Sequence, residues 1–437
     1  MKTSTIRAAA ALLAVGSLAA AGCGSSSTKS STATTAAGPP TTVGTTSASS
    51  FDLSFSAMTA LKSLAGQGSG KIGVILPDTT SSARYVEFDA PYLAKAFQTA
   101  GLQQSDYTIQ NSQGSDATAL TDAQADITNG AKVLLIDPED PAGGVAIENY
   151  AKAHGVDTID YDRLTLGGSR NYYVSFNNVE VGTLIGKGLV SCIGAWNVPN
   201  PQVIVMHGSA TDNNATLFAQ GYNAVMAPYF TSGKWTNLAS TADTWTPADA
   251  LTEFQQAYTA HKTANAVLVP NDETGAPIVS YLQTQGIKAK TFPLTGQDAT
   301  LVGLQNVLSG YQCGTAYKPI YEEAQAGAAL ALYLRAGKTP PSGLVNGSSQ
   351  DTSSNMTVPS VLLTPEWVTT ANMDSTIIKD NFVPANQCVS TSSPPSARRM
   401  GFPDHGIDAR SQRSGHPERR LRCPARSSGP GIRRYRR

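Results

Sequence analysis

The chain has 437 residues and equal numbers, 32 each, of basic and acidic side chains, so its formal net charge is zero. With 41% hydrophobic and 15% charged residues, its composition is that of an ordinary soluble protein, which excludes a chain embedded in a membrane along its length. The length suits two domains with tails.

The N-terminus has the pattern of an export signal. Lys2 and Arg7 precede an apolar run, Ala8–Ala21, that is too short to be a durable membrane span, so residues 1–22 are predicted to be a signal peptide. The placement of Cys23 resembles the lipobox of bacterial lipoproteins, in which the cysteine is lipidated and becomes the first mature residue. This resemblance implies an anchor on the outer face of the cell membrane. The alternative is a secretory signal followed by an incidental cysteine.

Two segments are predicted to be disordered. Ser, Thr, Ala, Gly and Pro dominate from Gly24 to Ser50, and residues 23–70 as a whole are predicted to be a tether. The basic tail is residues 391–437. Residues 398–437 hold 12 Arg and no Lys against three acidic residues, whereas residues 1–397 hold 20 basic and 29 acidic residues. Binding to an anionic surface and an out-of-frame or read-through extension both fit this tail, and no function is assigned to it.

Between the tether and the tail, short apolar runs alternate with amphipathic stretches. The predicted strands and helices are, in chain order, Ile72–Leu76, Tyr92–Ala100 (helix), Val133–Ile136, Val145–His154 (helix), Asp157–Asp160, Val203–Met206, Ala215–Met226 (helix), Ala248–His261 (helix), Ala266–Val269, Ala276–Gln285 (helix) and Phe292–Thr295. Such alternation predicts βαβ units and parallel sheets. Because the pattern restarts near residue 200, we expect an α/β fold with two doubly wound lobes.

Export permits disulfide bonds. Cys192, Cys313 and Cys388 lie in the predicted folded region, and a pair among them is expected, but the sequence leaves open which two are joined.

Polar residues follow the predicted strands, at the sheet edge where open α/β sheets bind ligands. They are Arg84, Asp162, Arg163, Asp212, Asn214, Asn271, Asp272, Gln297 and Asp298. The Gly208–Ala215 run alone fits either a helix cap or a ligand contact. Recurrence in both halves favours a ligand contact for Asp212 and Asn214, with capping left to Asn213. Carboxylates accept hydrogen bonds, Arg donates them and amides do both, which suits a ligand rich in hydroxyls.

Six motifs together resemble the D-xylose-binding proteins and their multiple-sugar-binding relatives, which are substrate-binding proteins of ABC importers with the type I periplasmic-binding-protein fold. The motifs are Tyr161–Arg163, Tyr172–Asn178, Gly208–Ala215, Asn271–Asp272, Thr295–Ala299 and Tyr317–Pro319. The resemblance extends in order and spacing from Lys71 to about Cys388.

The resemblance implies a monosaccharide site, D-xylose or a similar aldopyranose, between the lobes. Its residues would be Arg84, Tyr85, Asp162, Arg163, Asp212, Asn214, Trp245, Asn271, Asp298 and Lys318. Trp245 would stack on the sugar ring. Tyr85 stands where the family usually has Trp, which leaves the exact sugar open. No cofactor or metal is implied. The protein partners would be permease subunits with a cytoplasmic ATPase. The chain itself would be a monomer that contacts the membrane only through its lipid anchor and binds no nucleic acid.

The resemblance also implies three crossings of the chain between lobes, near 175–178, 316–319 and 358–363. The first lobe would hold residues 71–176 and 320–357, and the second would hold 177–319 and 358–390. Ligand binding would close the lobes about this three-segment hinge and present the closed form to the permease.

Other functions fit less well. A glycosidase needs two carboxyl groups that flank a scissile bond, and the aspartates here are better explained as hydroxyl acceptors. The stretch Gly66–Lys71 fails as a phosphate-binding loop, because Ala65 stands where Gly is required and Ile72 where Ser or Thr is required. The five His show no metal-ligand spacing, and an export signal occupies the place of a regulator's DNA-binding domain. A sugar receptor for a membrane sensor kinase or chemoreceptor would have the same fold and site and stays open as the alternative.

Overall fold

The structure is a computed structural model that describes residues 46–388, apart from the side chains of Ala242, Asp243 and Cys388. The predicted signal peptide, the predicted lipidation site Cys23 and the basic tail lie outside these residues. No helix between residues 46 and 388 is long and apolar enough to cross a bilayer.

The described chain alternates strands and helices. The strands are β1 (Lys71–Leu76), β2 (Tyr107–Asn111), β3 (Ala131–Ile136), β4 (Asp157–Tyr161), β5 (Tyr172–Phe176), β6 (Gln202–His207), β7 (Thr236–Asp243), β8 (Ala266–Leu268), β9 (Thr315–Tyr317), β10 (Gly347–Asp351), β11 (Met356–Leu363) and β12 (Glu366–Val368). The α-helices are α1 (Ser56–Ala60), α2 (Lys62–Ala65), α3 (Ala90–Thr99), α4 (Asp116–Thr128), α5 (Pro141–Ala153), α6 (Asn178–Ala195), α7 (Asn213–Thr231), α8 (Pro247–Ala260), α9 (Asp272–Thr284), α10 (Leu301–Ser309), α11 (Ile320–Arg335) and α12 (Ala385–Cys388). Short 3₁₀ turns cover Ala48–Ser50 and Gln104–Asp106, and π-helical turns cover Tyr85–Asp89 and Asp374–Ile378.

The first lobe is built on a seven-stranded sheet with the order β10-β11-β5-β4-β3-β1-β2. Its strands pair in parallel, except β10, which is antiparallel to β11. The central strands are buried along nearly their whole length, as expected when helices cover both faces of a parallel sheet. This explains why β1 and β3 are continuous apolar runs.

The second lobe is built on a three-stranded parallel sheet with the order β7-β6-β8. A smaller sheet pairs β9 with β12. The predicted strand at 292–295 is wrong as a strand: Leu294 makes one parallel bridge to Val267 and no longer ladder. Val267 instead donates its amide to the carbonyl of Pro293, so this short segment continues the sheet edge without forming a regular strand.

The other predicted strands and all five predicted helices are confirmed, with ends that differ by a few residues. Sequence reasoning missed several elements, among them β2 and β7, because their residues are only partly buried and carry weak apolar patterns.

Residues 46–70 correct the predicted tether. They are not disordered but form a 3₁₀ turn and the helices α1 and α2. Phe51, Phe55, Met58 and Leu61 are buried in the main core, since their spacing places them on one side of the segment. Gln325 on α11 donates to the carbonyl of Asp52 at 2.9 Å. This segment is therefore part of the folded first lobe.

The chain passes between the two sheets three times: after β5, between β9 and α11, and between β11 and β12. The third crossing corrects the prediction. Residues 358–363 belong to β11, which pairs with β5 in the seven-stranded sheet through Leu363, so they lie in the first lobe and the chain crosses at 364–365. The remaining predicted lobe boundaries stay predictions.

Cys192 on α6 and Cys313, just before β9, form a disulfide bond that spans 121 residues. Of the three pairings that the sequence left open, the described residues contain this one. It ties the first helix of the second lobe to the segment that leads back to the hinge.

Candidate functional site

The Gly208–Ala215 run carries the chain from β6 into α7. Asp212 is the N-cap residue of α7, and its Oδ1 accepts a hydrogen bond from the amide of Asn214 at 2.8 Å. Its Oδ2 accepts a hydrogen bond from the indole Nε1 of Trp245 at 2.9 Å. Assigning the cap to Asn213 was wrong, because Asp212 caps the helix and also orients the indole with its second oxygen.

Gly208 allows Trp245 to lie where it does. A Cβ atom at position 208 would stand 2.2 Å from two carbon atoms of the indole ring, which is far inside van der Waals contact. The ring also meets Phe218 edge to face, with 6.4 Å between the ring centroids. The absence of a side chain at 208 thus leaves room for an aromatic surface at the end of β6.

Asn214 connects the two lobes. Its Nδ2 donates to the backbone carbonyl of Asp162 at 2.9 Å, and its Oδ1 accepts from Tyr173 at 3.1 Å and from Asn178 at 2.7 Å. Tyr173 and Asp162 lie in the first lobe, on β5 and directly after β4. The amide group is therefore fixed by protein partners on both of its polar atoms.

Arg84, in the loop after β1, is surrounded by carboxyl groups. Its guanidinium donates to Asp89 through two bonds of 2.8 Å, to Asp162 at 2.9 Å and to Glu323 at 2.5 Å. Tyr85 also donates to Asp162, at 3.0 Å. Burial acts to raise the pKa of Asp162, but Arg84, Lys318 and Arg163 outweigh it and lower that pKa. Asp162 is thus held as a carboxylate, which accepts hydrogen bonds from hydroxyls.

Glu323, another partner of Arg84, has a raised pKa, in contrast to the lowered pKa of Asp162. Burial, reinforced by Asp162 and Asp89, raises its pKa to about 8, although Arg84 acts to lower it. One cation facing three carboxyl groups leaves this one protonated at neutral pH.

Arg163 lies among four carboxyl groups without close pairing. The distances from its guanidinium nitrogens to the nearest carboxyl oxygens of Asp78, Asp137, Glu139 and Asp212 are 3.7–3.9 Å. These distances are longer than a hydrogen bond. The guanidinium donates to Ser81 at 3.2 Å and to the carbonyl of Pro138 at 3.3 Å. Burial, with Asp162 nearby, raises the pKa of Asp137 well above its usual value. Arg163 is therefore positioned by weak contacts on several sides.

The remaining predicted residues lie on the second lobe and at the hinge. Asn271 caps α9 through Thr274 and reaches the carbonyl of Ser81 in the first lobe at 3.3 Å. Asp298 pairs with Lys318 at 3.0 Å. Burial would lower the pKa of Lys318, but Asp298 and Asp162 raise it, so the Lys318 ammonium stays charged.

Asp162 and Asp298 share an uncommon backbone. Their φ angles are 60° and 85°, in the left-handed region that costs energy for a residue with a Cβ. Such strain is frequently found where a side chain must be aimed at a functional site.

The predicted site residues meet in one interlobe cavity, which has about 30 Å³ of enclosed volume and about 320 Å³ of empty space when the part open to solvent is counted. Its walls contain all ten predicted site residues, which come from both lobes and the hinge: Arg84, Tyr85, Asp162, Arg163, Asp212, Asn214, Trp245, Asn271, Asp298 and Lys318. Four further residues complete the lining: Ser81, Ser82, Phe218 and Gln297.

Each of the four further residues has a signal in the sequence, although none is among the ten predicted site residues. Ser81 and Ser82 follow β1 in the same loop as Arg84, and Phe218 lies one helical turn after Asn214. Gln297 is among the polar residues at strand ends, and its Oε1 is buried with no hydrogen-bond partner in the described protein. An acceptor left unpaired in a polar cavity fits a ligand that donates.

Asp272 was also among the strand-end residues, but it does not line the cavity. Its carboxylate accepts from Gln312, Thr300 and Thr315 within the second lobe. Burial raises its pKa to about 7. It therefore braces the loop that carries Asp298. In the described part of the chain, no group of His, Cys, Asp and Glu is arranged to hold a metal ion.

The chain matches the family described as "Periplasmic binding protein domain" over residues 72–339. It is 34% identical to the D-xylose-binding periplasmic protein of Escherichia coli over 277 residues. This aligned region covers 63% of this chain and 80% of that protein. It is 30% identical to a multiple sugar-binding periplasmic receptor of Rhizobium radiobacter, over 73% of this chain and 92% of the relative.

Solved structures give the same assignment. A carbohydrate transporter solute-binding protein from Chloroflexus aurantiacus, in complex with D-glucose, superposes with a TM-score of 0.65 at 26% identity, covering 72% of this chain and 97% of that one. An ABC transporter solute-binding protein from Clostridium phytofermentans gives a TM-score of 0.66 at 24% identity, covering 73% and 99%, and supports the fold alone. From its parallel α/β sheets and these similarities, the chain belongs to the periplasmic binding protein family and has the type I fold.

Proposed function

We propose that this protein is the extracytoplasmic sugar-binding component of an ABC importer. It binds a monosaccharide, D-xylose or a similar aldopyranose, between its lobes and delivers it to permease subunits driven by a cytoplasmic ATPase. The observation that carries the proposal is the interlobe cavity lined by the ten predicted site residues.

The chemistry of the lining suits a sugar. Asp162 and Asp298 accept hydrogen bonds, Arg163 and Lys318 donate them, and the unpaired Oε1 of Gln297 is a further acceptor. Charged partners give the stronger hydrogen bonds to hydroxyls. The indole of Trp245 offers an apolar face for the C–H groups of the ring. This combination of polar edges and one flat apolar wall matches the two surfaces of a pyranose.

The distribution of the lining supports closure as the binding mechanism. Arg84, Asp162 and Arg163 belong to the first lobe, whereas Asp212 and Asn271 belong to the second. A ligand that bonds to both sides has higher affinity for the closed state, and this difference is what drives closure. The structure is closed, because Asn214 and Asn271 already bridge the lobes.

The aspartates are better suited to binding than to catalysis. Asp162 is bonded to Arg84 and Tyr85, Asp212 caps α7 and holds Trp245, and Asp298 pairs with Lys318. These contacts engage all three carboxyl groups in holding the site together, so the proposed function involves no chemistry on the sugar.

Export and anchoring are part of the proposal. The signal at residues 1–22 would send the chain out of the cytoplasm, and lipidation at Cys23 would hold it on the outer face of the membrane. In cells, Cys23→Ala should release the protein into the medium. Retention of this variant in the membrane fraction would contradict the anchor and leave the sugar site untouched.

A thermal-shift screen identifies the ligand, because a compound that binds the native state raises the melting temperature by mass action. The screen uses xylose, arabinose, glucose, galactose and ribose. We expect at least one to raise the melting temperature of the wild type, and no shift with Asp298→Ala or Trp245→Ala. Asp249→Ala, at an exposed position on α8 of the same lobe, is the matched control and should keep the shift. Equal shifts in all four proteins would contradict the assigned cavity.

A further inference from the structure

A carboxyl group outside the sugar cavity joins the two lobes. Glu273 lies in the first turn of α9, in the second lobe. Its Oε1 accepts hydrogen bonds from the amide of Ala83 at 3.1 Å and from the hydroxyl of Ser82 at 3.2 Å. Both partners are in the loop after β1, in the first lobe. These two bonds exist only when the lobes are closed.

Glu273 is absent from the lining of the sugar cavity. It lines a neighbouring cavity that lies beyond Ser82 and Asp298. Ser82, Arg84 and Asp298 line both cavities and separate them, with 3.3 Å between the hydroxyl of Ser82 and Oδ2 of Asp298. Glu273 therefore acts on the lobes from outside the proposed ligand site.

The surroundings favour the uncharged form of Glu273. Its Oε2 atom is buried without a hydrogen-bond partner among the described residues. The charged groups facing it are Asp298 and Asp272, and Lys318 is paired with Asp298. Burial raises the pKa of Glu273 well above its usual value, and Asp298 and Asp272 raise it further. The bonds to Ser82 and Ala83 are thus made by a carboxyl oxygen that an amide oxygen can replace.

We propose that Glu273 is a positioning residue that latches the closed state through Ser82 and Ala83 and so sets the equilibrium between open and closed forms. This proposal depends on the proposed sugar-binding function only where sugar affinity is the quantity measured. Because the latch does not contact the sugar, it changes the apparent affinity for every ligand by one common factor, the change in the closed population.

The test compares Glu273→Ala with Glu273→Gln. Loss of two interlobe hydrogen bonds should weaken binding about tenfold in Glu273→Ala. Glu273→Gln keeps an oxygen in place and should stay within about threefold of the wild type. Glu273→Ser, whose side chain is too short to reach Ala83, is a second variant in case Glu273→Ala folds poorly, and melting temperatures report folding in each.

Stopped-flow fluorescence with two sugars that bind the wild type separates a latch from a contact. We expect the dissociation rate constants of both sugars to rise by the same factor in Glu273→Ala, with association rate constants nearly unchanged. A change confined to one sugar, an unchanged dissociation rate, or a Glu273→Gln variant as weak as Glu273→Ala would overturn the proposal.

A sugar-free measurement keeps the latch testable by itself. Fluorophores attached at the exposed positions Lys132 and Lys288, one on each lobe, report the distance between lobes. The closed fraction should be lower in Glu273→Ala than in the wild type and Glu273→Gln. Equal closed fractions in all three would overturn the latch, whereas a wild type that closes but binds none of the sugars would contradict the proposed function instead.

Discussion

Gly208→Ala tests how closely the backbone and Trp245 are matched. The new methyl carbon would stand 2.2 Å from two atoms of the indole ring, against ordinary contact distances of about 3.5–4.0 Å. Overpacking of this kind costs about 1–3 kcal/mol where nothing can move. Trp245 is only partly buried, so we expect the ring to shift toward the cavity rather than the lobe to unfold.

The shift breaks the bond from the indole Nε1 to Asp212 and reduces the space for a ligand. Losing the hydrogen bond and the stacking surface together should weaken sugar binding by about 10- to 100-fold, on a scale of about 1.4 kcal/mol per tenfold. Calorimetry gives the affinity, and tryptophan fluorescence reports the altered environment of the ring.

Two other glycines are the controls. At Gly194, near the end of α6, a Cβ meets nothing within 4 Å, so Gly194→Ala should leave affinity and melting temperature nearly unchanged. At Gly221 a Cβ would lie 2.2 Å from the carbonyl oxygen of Val179, where α6 and α7 pack, so Gly221→Ala should unfold the lobe. Wild-type affinity in Gly208→Ala would refute the placement of Trp245 at the cavity wall.

Two further predictions concern stability. Cys192→Ser removes a bond that closes a 121-residue loop and should lower the free energy of unfolding by about 2–4 kcal/mol. Thermal melts of the wild type and the variant, with and without reductant, check this. A wild-type melting temperature that reductant does not change would contradict it. The pKa of Glu323 is raised from 4.5 to about 8 in the folded protein, so unfolding releases a proton and stability falls as pH rises from about 4.5 to 8. Asp272, whose pKa is about 7, adds a fall that ends near pH 7. Melting temperatures between pH 5 and 9 should therefore decline less steeply in Glu323→Gln than in the wild type, and identical slopes would refute the protonated carboxyl.

That the ten predicted residues line one cavity could be foreseen because they obey a positional rule. Asp162, Asp212 and Asp298 each come shortly after a buried apolar segment. The sequence therefore indicates that all three lie at the carboxyl ends of strands, where open α/β sheets bind ligands. The sequence could not show in which direction each of these side chains points. Asp272 directly follows Asn271, yet its carboxylate turns inward to Gln312 while Asn271 faces the cavity.

The errors have physical causes as well. The Ser- and Thr-rich composition ends near Ser50, and extending the tether to residue 70 overlooked the spacing of Phe51, Phe55 and Met58, which form one buried side. The segment at 292–295 is apolar but pairs through Leu294 alone. The contacts of Glu273 with Ser82 and Ala83 depend on the relative position of two lobes, which no local pattern encodes.

The central claim is that one monosaccharide binds between the lobes, held by residues from both. Titration calorimetry of the purified protein with the sugar found in the thermal-shift screen tests it most directly. The account predicts saturable binding of one sugar per chain, lost in Asp162→Ala on the first lobe and equally in Asp298→Ala on the second. Binding that survives either substitution, or no binding of any of the five sugars, would contradict it.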